Sequence, residues 1–153
     1  MSLAESEYPL MSRTILTLAA ALLAAGAFAQ RPTPIKQGNP LRKILLDALR
    51  PAIERDLGQK VKFEVKTLNV QGEWAFYGGN AVKPNGDPID LKTTRRRKEA
   101  EFMDGPSVYA LLRKRAGRWK LTTFVVGPTD VAWDSWDKEY GAPRSVMGLP
   151  AHF

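Results

Sequence analysis

The first strong pattern along the chain is a hydrophobic period of three to four residues. This period is typical of a helix with one buried face. Asn39 and Pro40 supply an N-cap and a proline suited to the first helical turn, and Gly58 supplies a left-handed C-cap. The sequence therefore predicts a helix over residues 40–57, which Pro51 should kink or divide. The period is carried by Leu41, Ile44, Leu45, Ala48, Leu49, Ala52 and Ile53.

A period of two follows the helix and returns later in the chain. Alternation of apolar and polar residues is typical of a strand with one buried face. A turn at Gln71–Gly72 joins the first two strands, and an Ala-Gly-Arg turn at 116–118 joins the last two, so the pattern predicts two hairpins. Residues 80–104 are predicted to form the loop between them. The four predicted strands are residues 61–70, 73–79, 107–115 and 119–127.

These elements together predict an α+β fold. An antiparallel sheet with one apolar face needs a cover, and the amphipathic helix can provide it. We expect an N-terminal helix packed on a curved four-stranded antiparallel sheet, with a short C-terminal helix after the last strand.

Aromatic residues dominate that C-terminal helix. Trp133, Trp136 and Tyr140 are spaced i, i+3, i+7, which places them on one side of a helix. Because large aromatic side chains contribute much of a small core, we expect them to pack against the sheet around Trp74 or Phe124. The alternative is an exposed platform that binds a carbohydrate or a peptide by stacking.

The N-terminus has the pattern of a secretory signal. Arg13 precedes an apolar run, and Ala27-Phe28-Ala29 forms an A-x-A exit, so residues 11–29 are predicted to be a signal peptide. Residues 1–10 carry two acids before Met11 and are interpreted as an upstream start or an appended extension. The alternative for the apolar run is an uncleaved anchor or a buried core helix.

Residues 30–153 are predicted to form three segments. Residues 30–39 are predicted to be an extended lead-in, residues 40–142 a single domain, and residues 143–153 a flexible tail. The predicted location is periplasmic or secreted, with no transmembrane anchor after cleavage. The sequence has no cysteine, so we expect neither disulfides nor thiolate chemistry.

The charge balance is basic. The chain carries 23 Lys and Arg against 16 Asp and Glu, a formal charge of +7 at pH 7. A positive field favours anionic partners. For an exported protein we expect an anionic envelope polymer, a glycan or a protein partner, and no nucleic acid. The densest basic run is Arg95, Arg96 and Arg97 with Lys98, which is either a binding element or a solvated loop.

The order of elements resembles the cystatin-like and NTF2-like group of helix-on-sheet folds over residues 40–142. The stretches that carry this resemblance are "LNVQGEWAF" and the hairpin containing "RAGRW". The chain is also similar to small exported bacterial proteins of no assigned activity that have a "GxWAF" strand and a late "GPTDVAWxxW" segment.

Cystatin inhibitors insert a Q-x-V-x-G hairpin, a tryptophan-bearing second hairpin and a glycine before the helix into a protease cleft. Val70–Gly72 match the end of the first motif, although Leu68 stands where the glutamine should be. Trp119 falls at the second hairpin, preceded by Arg118 instead of proline, and Gly38 precedes the helix. The resemblance implies a protease inhibitor as one alternative.

Catalytic chemistry has few candidates. His152 is the one histidine, and with no cysteine the chain offers neither a serine triad nor a zinc site of the usual ligands. No cofactor or metal is predicted. Asp130, Asp134 and Asp137 are spaced four and three residues apart, which places them close together on a helical surface. Asp130 and Asp134 of this cluster could support an NTF2-like acid–base enzyme. The sequence favours instead an exported, non-catalytic accessory or binding module.

Overall fold

The computed structural model describes residues 30–152, so the predicted signal peptide and the extension before it lie outside the described residues. The sheet is five-stranded and antiparallel, with its strands in chain order from β1 to β5. The elements are β1 (Thr33–Pro34), α1 (Pro40–Leu57), β2 (Lys62–Gln71), β3 (Trp74–Val82), β4 (Ser107–Arg115), β5 (Arg118–Val126) and α2 (Trp136–Tyr140), with 3-10 turns at Leu91–Thr93, Ala100–Phe102 and Arg144–Met147.

The predicted α+β class is confirmed, but the strand count is wrong. The sheet has five strands instead of four, because Thr33 pairs with Val70 and Pro34 with Asn69. The helix is therefore preceded by a strand. A two-residue strand is too short to show alternation, which is why the sequence predicted only an extended lead-in there.

Helix α1 begins and ends where its caps predict. The Asn39 side chain accepts a hydrogen bond from the Leu41 amide at 2.9 Å, and Gly58 takes the left-handed conformation at φ 76°. The helix continues through Pro51 without a break. Its buried face packs on the sheet, through Leu45, Leu49, Ile53 and Leu57.

Strand β3 is longer than predicted because its two glycines allow close approaches inside the sheet. A Cβ at Gly79 would lie 2.1 Å from the Glu64 carbonyl oxygen, and a Cβ at Gly78 would lie 3.2 Å from the Tyr109 ring. Glycine, which weakens a strand, also occurs where another group comes close. The strand therefore runs past both residues to Val82.

Both faces of the sheet are covered. One face, the helix-covered face, packs under α1. The other, the second face, packs under the C-terminal segment. Val146 and Met147 belong to the stretch whose composition predicted a flexible tail, and both are buried on the second face. No helix within residues 30–152 is long and apolar enough to cross a membrane. The buried second-face cluster consists of Trp74, Phe76, Leu111, Trp136, Ala142, Val146 and Met147.

Candidate functional site

The C-terminal aromatic residues lie in the second-face cluster. Trp136 is 5% exposed and packs edge-on against Phe76 with ring centroids 6.5 Å apart. Trp133 precedes α2 in a turn and stacks on Tyr109 at 3.9 Å. Tyr140 packs against Trp136. These contacts match the expected packing near Trp74, whereas Phe124 belongs to the helix-covered face.

The predicted carboxylate cluster is not held on one helix, because α2 begins only at Trp136. Asp130 and Asp134 are both exposed. Asp134 accepts a hydrogen bond from the Arg144 guanidinium at 2.7 Å, so this carboxylate already has an ion-pair partner. Arg144 also donates to the Pro150 carbonyl at 2.6 Å and thus ties the end of the described chain to this segment.

Asp137, the third acid of the predicted cluster, is more strongly held. Burial raises the pKa of Asp137, but hydrogen bonds from His152 and the Lys138 amide, together with the Arg144 charge, outweigh it and hold the pKa below its ordinary value. His152 lies 2.8 Å from Asp137, in the wall of a cleft of about 390 Å³. Among residues 30–152, no three side chains of the His, Cys, Asp and Glu types form a metal site.

The four bases at 95–98 fall into two pairs, one bonded to helix α1 and one exposed. The Arg95 guanidinium donates to the Arg55 carbonyl at 3.1 Å, and Arg96 forms a two-point pair with Asp56 at the end of α1. These two bases therefore anchor the loop to the helix. Arg97 and Lys98 are exposed.

A second basic set lies at the tip of the β4–β5 hairpin. The turn consists of Ala116 and Gly117, both at positive φ, 49° and 75°. Two residues at positive φ are the signature of a type I′ turn, which matches the twist of a hairpin. The turn sets the register so that basic residues pair across the strands: Arg115 opposes Arg118, and Arg113 opposes Lys120.

All four of these bases share the second face of the sheet; we call them the hairpin basic face. Arg113 lies 4.7 Å above the Trp74 ring, which belongs to the second-face cluster, and cross-strand partners share a face. Bases on one strand are about 6.6–6.8 Å apart, because alternate residues share a face. Opposed bases are about 4.5–5.5 Å apart at Cα. The four charges thus occupy one compact rectangle.

The arrangement is electrostatically unfavourable for the fold itself. Like charges directly opposed in a sheet destabilise it. Within residues 30–152, the ion pair that relieves this repulsion joins Arg113 to Glu73 at 2.7 Å. Arg115, Arg118 and Lys120 are exposed at the tip. These three bases form no ion pair within residues 30–152, and bases held together against their repulsion are suited to an anionic ligand.

The hairpin tip also has a neighbour. The β2–β3 turn lies at the same end of the sheet, since the Lys114 amide donates to the Glu73 carbonyl at 2.7 Å. Gly72, in the matched Val70–Gly72 motif, is exposed in that turn. Trp119 is half-buried and packs with the helix-covered cluster. The two turns predicted from the cystatin resemblance are therefore adjacent, but the Trp119 side chain packs on the helix-covered face instead of projecting from the tip.

The sequence contained a signal for the hairpin basic face, the stretch "RKRAGRWK" at 113–120. The sequence-based prediction placed a three-residue turn at 116–118, which would oppose Arg115 to Trp119. The two-residue turn shifts the register by one and brings the bases together.

Comparisons of the chain with protein-family models, with curated proteins and with solved structures found no match. The geometry of the described residues is therefore the basis for any functional assignment.

Proposed function

We propose that the chain is an exported, non-catalytic binding module of the bacterial envelope whose ligand surface is the hairpin basic face. Its ligand is anionic: an envelope polymer, a glycan or an acidic protein segment. The observation that carries the proposal is the pair of opposed bases, Arg115 with Arg118 and Arg113 with Lys120. Ligand anions would relieve the repulsion within these pairs, so binding of the ligand would also stabilise the hairpin.

We also propose that the fold is cystatin-like in its finer topology. The support is the order strand, helix, then a four-strand meander, with α1 packed on one face of the sheet. The C-terminal segment on the other face is an addition to that plan.

The test uses the full chain and polygalacturonate, a linear polymer with one carboxylate per sugar. Binding is measured by titration at several salt concentrations. The double variant Arg115→Ala/Arg118→Ala removes two exposed charges from the hairpin. The matched control Arg97→Ala/Lys98→Ala removes two exposed charges from the loop. The control and the hairpin variant therefore have the same formal net charge.

We expect the hairpin variant to bind about tenfold more weakly and with a smaller salt dependence, because surface charge interactions are screened by salt. The loop control should bind like the parent chain. Equal weakening in both variants would mean that net charge alone attracts the polymer. Unchanged binding in the hairpin variant would also contradict the proposal.

Protease inhibition is a second candidate, favoured by the adjacency of the Gly72 turn and the Ala116–Gly117 turn. An inhibitor needs both tips to enter one cleft, and the backbone hydrogen bond from Lys114 to Glu73 holds the two turns side by side. Inhibition of a papain-type protease by the full chain at micromolar concentration would support it. The variant Gly72→Trp, which enlarges the tip, should then lose inhibition, whereas an inactive parent chain would eliminate this candidate.

A further inference from the structure

The last strand of the sheet has an edge that pairs with no other strand of residues 30–152, and this edge lies beside the hairpin basic face. Strand β5 ends the strand order, and within residues 30–152 its backbone hydrogen bonds run to β4. An exposed strand edge is a template onto which another extended segment can add. Thr122 has no partner in the β4–β5 register, so the pairing of β5 is irregular at this residue. The regular part of β5 next to the tip is Arg118–Leu121.

The side chains along this regular part alternate in chemistry. Arg118 and Lys120 are exposed on the second face, whereas Trp119 and Leu121 are half-buried on the helix-covered face. A strand added at this edge would place its side chains opposite these residues, on the same faces. Acids would oppose Arg118 and Lys120, and an apolar side chain would oppose Trp119.

We propose that β5 binds an extended acidic segment of a partner protein as a sixth strand, with the local pattern acid, apolar, acid. This inference rests on the proposed function, and it names the ligand as a peptide. The pattern is the same in both chain directions, so parallel and antiparallel addition both satisfy it. Acids in alternate positions of a strand are about 6.6–6.8 Å apart, which is the spacing of the two bases on β5.

Two other roles for the edge fit less well. A second copy of the chain would bring Arg118 and Lys120 of both copies together, which opposes pairing between like charges. Bases on an edge strand also hinder aggregation. That protective role needs bases on β5 alone. Arg113 and Arg115 lie on β4, about 10 Å from an added strand, where their positive charge would attract an acidic segment.

The test compares two blocked synthetic peptides of equal composition, Glu-Val-Glu-Val-Glu and Val-Glu-Glu-Glu-Val, by titration against the full chain. Two further versions of the first peptide carry backbone N-methyl groups, on the glutamates in one and on the valines in the other. Amide groups of a strand point alternately to its two edges, so one methylated version blocks the pairing edge and the other does not.

We expect the alternating peptide to bind up to about fivefold more tightly than the rearranged one, because only the alternating peptide places a valine opposite Trp119 between its two acids, where the rearranged one places a glutamate. One methylated peptide should lose binding, and the other should retain it. The variant Arg118→Ala/Lys120→Ala should weaken binding, and Arg97→Ala/Lys98→Ala should leave it unchanged.

Equal binding of both unmethylated peptides would overturn the acid, apolar, acid pattern, and retention by both methylated ones would overturn the added strand. If polygalacturonate still required Arg115 and Arg118 in that case, the proposed function would stand, with the anionic polymer as its ligand. Failure of the polymer and of every peptide would overturn both the strand addition and the proposed function.

Discussion

Reversing one charge at the hairpin tip should stabilise the fold while weakening ligand binding. Arg118 opposes Arg115 across the strands and shares its face with Lys120, and all three side chains are exposed. The variant Arg118→Glu replaces a repulsive pair by an attractive one. The same change removes a base from the hairpin basic face, so stability and binding should move in opposite directions.

The magnitude follows from the geometry of the pair. A cross-strand charge pair contributes roughly 0.2–1 kcal/mol, and solvent exposure places this one at the lower end, about 0.2–0.5 kcal/mol. Reversal removes the repulsion and adds an attraction, so the free energy of unfolding should rise by about 0.4–1 kcal/mol. The neutral control Arg118→Gln removes the repulsion alone and should give about half of that gain.

The assay is urea unfolding followed by tryptophan emission, at about 10 mM and at about 1 M salt. The Debye length falls from about 30 Å to about 3 Å between these conditions, so the gain should nearly vanish at high salt. A lower unfolding midpoint for Arg118→Glu at low salt would refute the reasoning. So would a gain that persists unchanged at high salt, because its origin could not then be the charge pair.

Two further predictions concern the sheet and the C-terminal segment. Gly79→Ala should lower the free energy of unfolding by about 3 kcal/mol, since its Cβ would lie 2.1 Å from the Glu64 carbonyl oxygen. Gly78→Ala, whose Cβ would lie 3.2 Å from the Tyr109 ring and 3.7 Å from the Thr67 Cβ, should lose about 1 kcal/mol in the same urea assay; equal losses would contradict the steric argument. Because the folded pKa of Asp137 is lowered, its contribution to stability is present above the unfolded pKa, near 3.9, and is lost as the pH falls through the folded value. Urea midpoints measured between about pH 6 and pH 2 should therefore fall more steeply for the parent chain than for Asp137→Asn, and parallel curves would remove this role for the carboxylate.

Much of the fold was predictable because periodicity reports which side of an element is buried. The caps at Asn39 and Gly58 located α1, and alternation located both hairpins. Two glycines misled the prediction of where β3 ends, because composition does not show that a carbonyl oxygen lies where a Cβ would be. The five-stranded sheet was missed because β1 is defined only by its pairing with β2.

The candidate site was less predictable. The bases at 95–98 are contiguous and easy to find, yet two of them hold a loop against α1. The hairpin bases are separated by the turn and by Trp119, and their significance depends on register. A difference of one residue in turn length decides whether Arg115 opposes an indole or another guanidinium.

The sequence by itself determined the class of the fold, the positions of its helix and hairpins, the basic charge and the lack of cysteine. These properties depend on neighbouring residues or on composition alone. The tertiary structure decided which bases meet across β4 and β5, and which strand is left at the edge. It also decided that the C-terminal aromatic residues cover the second face. Those outcomes depend on contacts between residues far apart in the chain, and a local period carries no information about them.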